Sequence, residues 1–196
     1  FRDNGMIMEI QRKVVNRLDI FFGMEAATDS GLKNFVKDSN TDHTVKAVEI
    51  ARELKCGITG NFMVDPGWDV QDFENLWAFV QKHSLQRCGY TILTPLPGTQ
   101  DWAKWKDTVA GQPWYKWDMH HVLWQPKLGV ERFFELFAET WRRSVLNMGD
   151  GQGKARFLKW ATQIKLWQIP HLARIMMQTQ RLVSPKAYLK EHAHAE

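Results

Sequence analysis

Three short apolar runs, separated by segments of helical period, constrain this chain more than anything else in it. Residues 19–24 (DIFFGM), Gly57–Val64 (GITGNFMV) and residues 89–93 (GYTIL) read as strands. Between the first two, TDHTVKAVEIARELKCG offers Thr41 as an N-cap, Val45, Val48, Ala51 and Leu54 as an apolar stripe, and Gly57 as the stop. Between the second and third, DVQDFENLWAFVQKH offers Asp69 as a cap, acids in the first turn, and Phe73, Leu76, Trp77 and Val80 on one face. The strands begin roughly 30 to 40 residues apart, the length of one βαβ unit, and such units impose parallel pairing with right-handed crossovers. The expected fold class is therefore α/β, with residues 1–100 forming a wedge of a parallel sheet or barrel.

In parallel sheets ligands bind beyond the carboxyl ends of the strands, which says where chemistry belongs. The first strand ends at Glu25, the second carries Asn61 and runs into Asp65, and the third runs into Thr94 and the loop PLPGT. Pro95 cannot lie in a central strand, so the chain must leave the sheet there. Gly98 permits a close backbone approach, and Thr99 follows it. Gly23 and Gly60 sit inside strands, where glycine costs stability unless something has to come close. Any one of these features is also ordinary cap or turn chemistry; their order and spacing give them weight together.

Charge and cysteine usage narrow the classes. Residues 1–100 hold 11 Lys/Arg against 13 Asp/Glu, a net −2, while residues 101–196 hold 15 against 9, a net +6. Between positions 151 and 190 there are basic residues and no acidic one. Cys56 and Cys88 are the only cysteines, too few for a disulfide framework, an all-cysteine cluster or a structural zinc site, and a reducing cytoplasm suits them. No run of eighteen apolar residues is present. Because the sequence opens on Phe1, an excised piece of a longer protein is expected.

With these motifs in hand, the stretch 21–99, from FFGMEAATDSG through CGITGNFMVDPGW to GYTILTPLPGT, resembles the carboxyl half of a radical S-adenosylmethionine core domain of the cobalamin-binding subclass. The tail, with WDMHHVLWQP at 117–126 and FFELFAETWRRSVLN at 133–147, resembles more narrowly the hopanoid C-3 methyltransferases. The resemblance implies the later half of a partial TIM-like (β/α) barrel followed by an α-helical carboxyl-terminal region. It implies S-adenosylmethionine, a four-iron four-sulfur cluster and cobalamin as cofactors, a radical that abstracts hydrogen from unactivated carbon, and methyl transfer to that carbon. Glu25, Asn61, Thr94, Gly98 and Thr99 match the cofactor-facing positions. The Cys-x-x-x-Cys-x-x-Cys cluster loop and a cobalamin-binding domain are absent from these residues, so the expected metal ligands of this chain are none and its activity alone is expected to be nil. Asp65 stands where the family has glycine after the strand. Phe21, Phe62 and Tyr90 are expected to wall the barrel. A reductant protein and a hopanoid lipid are the implied partners; a sister enzyme with another substrate and a non-catalytic membrane-surface module are the alternatives.

The second half is aromatic and basic. Eight of the ten tryptophans follow Gln100, and DWAKWKDTVAGQPWYKWDMHHVLWQP interleaves them with lysine, which suits a packed lid over residues 101–150 or an interface. His120 and His121 are adjacent, so on regular backbone they diverge and do not share one metal. Phe133, Phe134, Phe137 and Trp141 recur at helical spacing, with Arg142 and Arg143 toward the end. GDGQG at 149–153 reads as a break. In residues 151–196, Phe157, Trp160, Ala161, Ile164 and Trp167 share a face, and Pro170 should kink or divide that helix. An all-basic amphipathic segment of this kind suits either solvated packing or the headgroup region of a membrane, through 154–181, at the inner face. The positive charge is modest and no nucleic-acid motif accompanies it, so nucleic acid is not an expected partner.

Overall fold

The computed structural model describes residues 19–25, 41–54, 56–85, 87–146, 162 and 164–193. Three strands, β1 (Asp19–Glu25), β2 (Gly57–Val64) and β3 (Cys88–Ile92), form one sheet in the order β1-β2-β3. Helix α1 (Thr41–Glu53) lies between β1 and β2 in sequence, and α2 (Val70–Lys82) between β2 and β3. Then come α3 (Gln100–Val109), a 3₁₀ turn (Trp114–Trp117), α4 (Val130–Leu146), a second 3₁₀ turn (Leu166–Gln168), α5 (Ile169–Leu182) and α6 (Pro185–Ala193). The expected strands and helices of the first half are all present, within a residue or two at strand ends and about four at the end of α1. β1 and β2 pair in parallel. Between β2 and β3, the Gly60 N–H donates to Arg87 O (2.9 Å) and the Leu93 N–H to Val64 O (2.9 Å); both positions rise together, so this pair is parallel too.

The described residues fall into two compact units: one runs through Met63 and includes Glu74–Tyr90, the other comprises Val64–Phe73 and Thr91 onward. In the first unit the strands are two-faced. Met24, Phe62 and Tyr90 are buried, Phe62 stacking on Tyr90 (5.9 Å, 20°) and meeting Phe79 of α2 edge-on (6.0 Å, 78°). Val48 and Ala51 of α1, Leu76 and Leu85 complete this apolar layer. Gly60 belongs to it because a Cβ there would lie 2.8 Å from Met24 Sδ, and the buried Met24 has little room to yield. Alternating positions Thr59, Asn61 and Met63 of β2 and Gly89 and Thr91 of β3 are only part-buried, and Phe21 of β1 is 67% exposed.

That alternation corrects one expectation. Phe62 and Tyr90 do not line the same face as Phe21; side chains alternate along a strand, and the two buried rings pack toward helix α2.

The second unit has an aromatic core. Phe73 meets Phe133 (5.8 Å, 73°), Phe133 stacks with Phe137 (6.2 Å, 10°), and Phe134 of α4 lies parallel to Tyr188 of α6 (5.3 Å, 1°). The stripe read from sequence on α4 is this buried face, and Thr140 joins it by donating its hydroxyl to Leu136 O (2.8 Å). Asp69 caps α2 as expected: its Oδ1 accepts the N–H groups of Gln71 (3.0 Å) and Asp72 (3.3 Å), and Asp72 Oδ2 accepts the Asp69 N–H in return (2.9 Å). The tryptophans pack on one another, Trp105 against Trp124 (4.7 Å, 12°) and Trp117 between Trp102 and Trp114. Pro170 divides rather than kinks, sitting in the first turn of α5 where its missing N–H costs nothing. Phe157, Trp160 and Ala161, with the break at 149–153, lie outside the described residues.

Candidate functional site

The part-buried face of the first unit is built from small and polar residues in a row. Gly23 of β1 is in register with Asn61 of β2, and the Asn61 side chain lies over Gly89 of β3: a Cβ at Gly89 would be 2.7 Å from Asn61 Oδ1. A side chain at Gly89 would thus displace the carboxamide that covers it. Both neighbours of Asn61 lack a side chain, so its amide stands on this face with one donor and one acceptor group to offer.

Immediately beyond this row β1 is bulged. Gly23 pairs with Asn61 and Glu25 with Phe62, so two steps on β1 match one on β2, and Met24 is the extra residue. Glu25 is the last residue of β1, at the carboxyl end expected for it; its side chain lies outside the description. Bulges re-aim the residues that follow them and recur beside active sites.

The remaining expected residues belong to the second unit. Thr94 Oγ1 donates to Ile92 O (3.0 Å) and closes off the end of β3. Gly98 adopts φ +89°, open only to glycine without strain, and a Cβ there would meet nothing within 4 Å. Thr99 is the N-cap of α3: its hydroxyl accepts the Trp102 N–H (3.2 Å) and donates to Leu96 O (2.7 Å). The Thr99 side chain is therefore engaged in shaping the loop, and the structure brings Asn61 into register with the glycine row of the first unit while Thr94, Gly98 and Thr99 form a rigid turn in the second. In that same unit Asp65 Oδ1 accepts the Gly67 N–H (2.7 Å), and Lys104 adds a favourable charge, yet burial dominates and holds the Asp65 carboxyl above its ordinary range.

The two histidines diverge as adjacency requires. His121 Nδ1 lies 2.8 Å from Asp118 Oδ1, while the His120 ring lies beside Trp141 (6.5 Å). Asp118 Oδ1 also accepts the His120 N–H (2.8 Å), and Met119 between them is held at φ +63°, unusual for a residue with a side chain. Burial pushes the Asp118 carboxyl up, but the hydrogen bonds from His121 and the His120 N–H outweigh it and hold the group below the usual range. Asp118 was not a sequence candidate; the only signal for it was an acid three residues before a histidine.

Cofactor fit differs by group. In the first unit, the glycine-flanked amide of Asn61 suits a nucleoside cofactor approaching backbone closely. An iron–sulfur cluster does not fit these residues: Cys56 is buried before β2 and Cys88 opens β3, both at amino ends of strands, and no group of three or more His, Cys, Asp or Glu able to hold a metal occurs among the described residues. No described helix is long and apolar enough to cross a membrane.

Comparison with known proteins follows the same lines. No family model matches the chain. It is 30% identical over 176 residues to a bacteriochlorophyllide d C-12(1)-methyltransferase of Chlorobaculum tepidum, covering 85% of this chain and 36% of that protein. It is 26% identical over 121 residues to a hopanoid C-3 methylase of Methylococcus capsulatus (62% of this chain, 23% of that protein). It is 25% identical over 139 residues to a bacteriochlorophyllide d C-8(2)-methyltransferase of Chlorobaculum tepidum (65% and 31%). The chain thus spans about a third or less of the length of these relatives, and the resemblance read from its motifs to the hopanoid C-3 methyltransferases is met by one of them.

Proposed function

We propose, from the likeness of this chain to these three methyltransferases, that it is the carboxyl-terminal part of a cobalamin-dependent radical S-adenosylmethionine C-methyltransferase. The observation that carries the reading is the match to a C-methyltransferase over 85% of the chain. The row Gly23, Asn61, Gly89 supports it, because a small, polar strip on a parallel sheet is what a cofactor lying close to backbone needs. S-adenosylmethionine, when bound, supplies the radical that activates an inert carbon–hydrogen bond, and cobalamin carries the methyl group; the cluster and cobalamin belong to parts of the protein beyond these residues. The work of this chain is binding and orientation. Asn61 presents its amide to the cofactor and Glu25 ends β1 at the carboxyl edge of the first unit; in the second unit the hydrogen bonds of Thr94 and Thr99 make the turn at 94–99 rigid.

The substrate we propose is a hopanoid, methylated at C-3, in keeping with the hopanoid relative and with the motifs WDMHH and FFELFAETW. A bacteriochlorophyllide is the second reading, favoured by the higher identity and wider coverage of that relative. For a hopanoid lipid substrate, α5 supports a peripheral place at the inner membrane face. Trp167, Ile169, Ile175 and Met177 are exposed beside Arg174 and Arg181, with no acid between Ile169 and Leu182. A cytoplasmic reductant protein completes the scheme.

The test is to express the protein with its upstream region, reconstitute it anaerobically with iron, sulfide and cobalamin, and assay each substrate by mass spectrometry. 5′-Deoxyadenosine together with methylated hopanoid is the expected result. Deoxyadenosine with methylated bacteriochlorophyllide selects the second reading, and neither product from protein with an intact cluster overturns both.

A further inference from the structure

Helix α5 is packed unlike its neighbours in the second unit. Val109 of α3, Phe133, Phe134 and Phe137 of α4 and Tyr188 of α6 are all buried. None of the described side chains of α5 is buried, although Ile169, Ile175 and Met177 belong to it and Trp167 stands two residues before it. Trp167 is 73% exposed, Met177 62% and Ile169 50%. Single exposed apolar residues are ordinary on a protein surface; several large ones gathered on one helix point to something that covers them.

Their arrangement says what covers them. Ile169, Ala173 and Met177 follow one another at i, i+4 and i+8 and so share one stripe of the helix, while Ile175 stands on the other side. Arg174 and Arg181, seven residues apart, form a second line about a quarter-turn round from that stripe. Lys190 of α6 lines the same surface recess as Arg181, so the cationic line continues onto α6. Glu191, the one acid lining the recess, is matched by Arg181, whose Nε lies 2.9 Å from Glu191 Oε1. Between positions 164 and 190 the sequence has five Lys/Arg and no Asp or Glu. An apolar stripe with a tryptophan at one end and cations along one flank is the layout of a helix lying in a headgroup layer. At 14 residues α5 spans about 21 Å, short of a hydrocarbon core of about 30 Å, so it can lie on a bilayer but not cross it. A protein groove would have to place carboxylates along one flank only. A bilayer with anionic headgroups sets a charged plane over an apolar one and matches both lines at once.

We propose that α5 docks on bilayers carrying anionic phospholipid, with Trp167, Ile169, Ala173 and Met177 in the headgroup layer and Arg174 and Lys190 against lipid phosphates. This rests on the peripheral place read for α5 above and adds the lipid class and the residues that select it; it does not depend on the methyl-transfer chemistry.

The test is to float the full-length protein on density gradients with vesicles of phosphatidylcholine, either alone or with about 30% phosphatidylglycerol. Binding should be at least about 10-fold tighter to the anionic vesicles and should fall away at about 0.5 M NaCl, where screening confines the attraction to a few ångströms. Met177→Asp should weaken it roughly 10-fold, and Arg174→Gln about 5-fold, the worth of one basic residue at an anionic surface. Both positions are exposed, so circular dichroism should show both variants folded. Equal binding to the two kinds of vesicle overturns the anionic-lipid proposal and leaves the peripheral place of α5 standing; no binding to either overturns both. Variants that bind as tightly as the unsubstituted protein overturn it by placing the contact elsewhere. So does self-association that depends on Met177, measured by light scattering, in a protein that binds no vesicle. Methylation is assayed on detergent-dispersed substrate without vesicles, so that reading and this one fail separately.

Discussion

The two units solve the problem of burying polar chemistry in opposite ways. In the first, the polar residue of interest, Asn61, is admitted by removing its neighbours' side chains: Gly23 and Gly89 make the space, while helix α2 packs on the buried face through Phe79 against Phe62. In the second, Asp118, His121, Tyr188 and His192 are packed into and beside a closed aromatic core, and the cost appears as shifted pKa values and unmatched hydrogen-bonding atoms. The difference teaches that a glycine row keeps a site adaptable, whereas a side-chain cluster fixes it and couples it to stability.

The sharpest way to break the contrast is to empty the aromatic core. Phe134 is fully buried, parallel to Tyr188 and edge-on to His192 (5.6 Å). Phe134→Ala should destabilise by about 3–5 kcal/mol and loosen the His192 environment as well. Urea denaturation measures the first, and the His192 ring signals in NMR the second. A loss under 1 kcal/mol would mean that α4 and α6 do not form one core.

Next in size is overpacking in the first unit. At Gly60 any side chain meets the buried Met24, so Gly60→Val should cost about 1–3 kcal/mol, more than β-propensity alone would return. If denaturation shows no loss, the apolar layer is looser than its burial implies.

The titration of His192 comes third. Burial, with Lys116 and His121 adding, lowers its pKa to about 4, from an ordinary value of 6.5 in the unfolded chain. Below 6.5 the unfolded chain takes a proton that the folded chain refuses until about 4. Stability contributed by neutral His192 is therefore fully present above 6.5 and declines across that window as pH falls. The part-exposed site discounts the shift to about 1–2 kcal/mol. His192→Phe should flatten the decline between pH 7 and 4; an unchanged profile would place the titration elsewhere.

Most of the first unit was legible from sequence because its signals are local. The cap at Asp69, the stripe of α2 and the chain break at Pro95 each depend on residues within a turn of one another. The proline at 170 was legible as a break for the same reason. What escaped was set at long range. The wall of Phe21, Phe62 and Tyr90 failed because parity along a strand says which residues share a face only once the register is known, and Phe62 pairs through a bulge. The His121 cluster escaped because Tyr188 and His192 lie some seventy residues beyond Asp118 and meet it only through the packing of α4 on α6.

The smallest structural perturbation separates the two kinds of site most cleanly. At Gly89 an added methyl meets only the end of the Asn61 side chain, which can swing away, and alanine recovers some of the entropy that glycine wastes in a strand. Gly89→Ala should therefore change stability by no more than about 0.5 kcal/mol while displacing the Asn61 amide. If that amide faces S-adenosylmethionine, cofactor affinity of the full-length protein should fall roughly 10-fold, the worth of one hydrogen bond to a ligand. Asn61→Ala should fall by the same factor, and the double variant by no more than either alone, because the two changes remove one interaction. Additive losses would mean that Gly89 contacts the cofactor through its own backbone. An unchanged affinity in all three would detach the glycine row from cofactor binding and leave it as a device for packing strands.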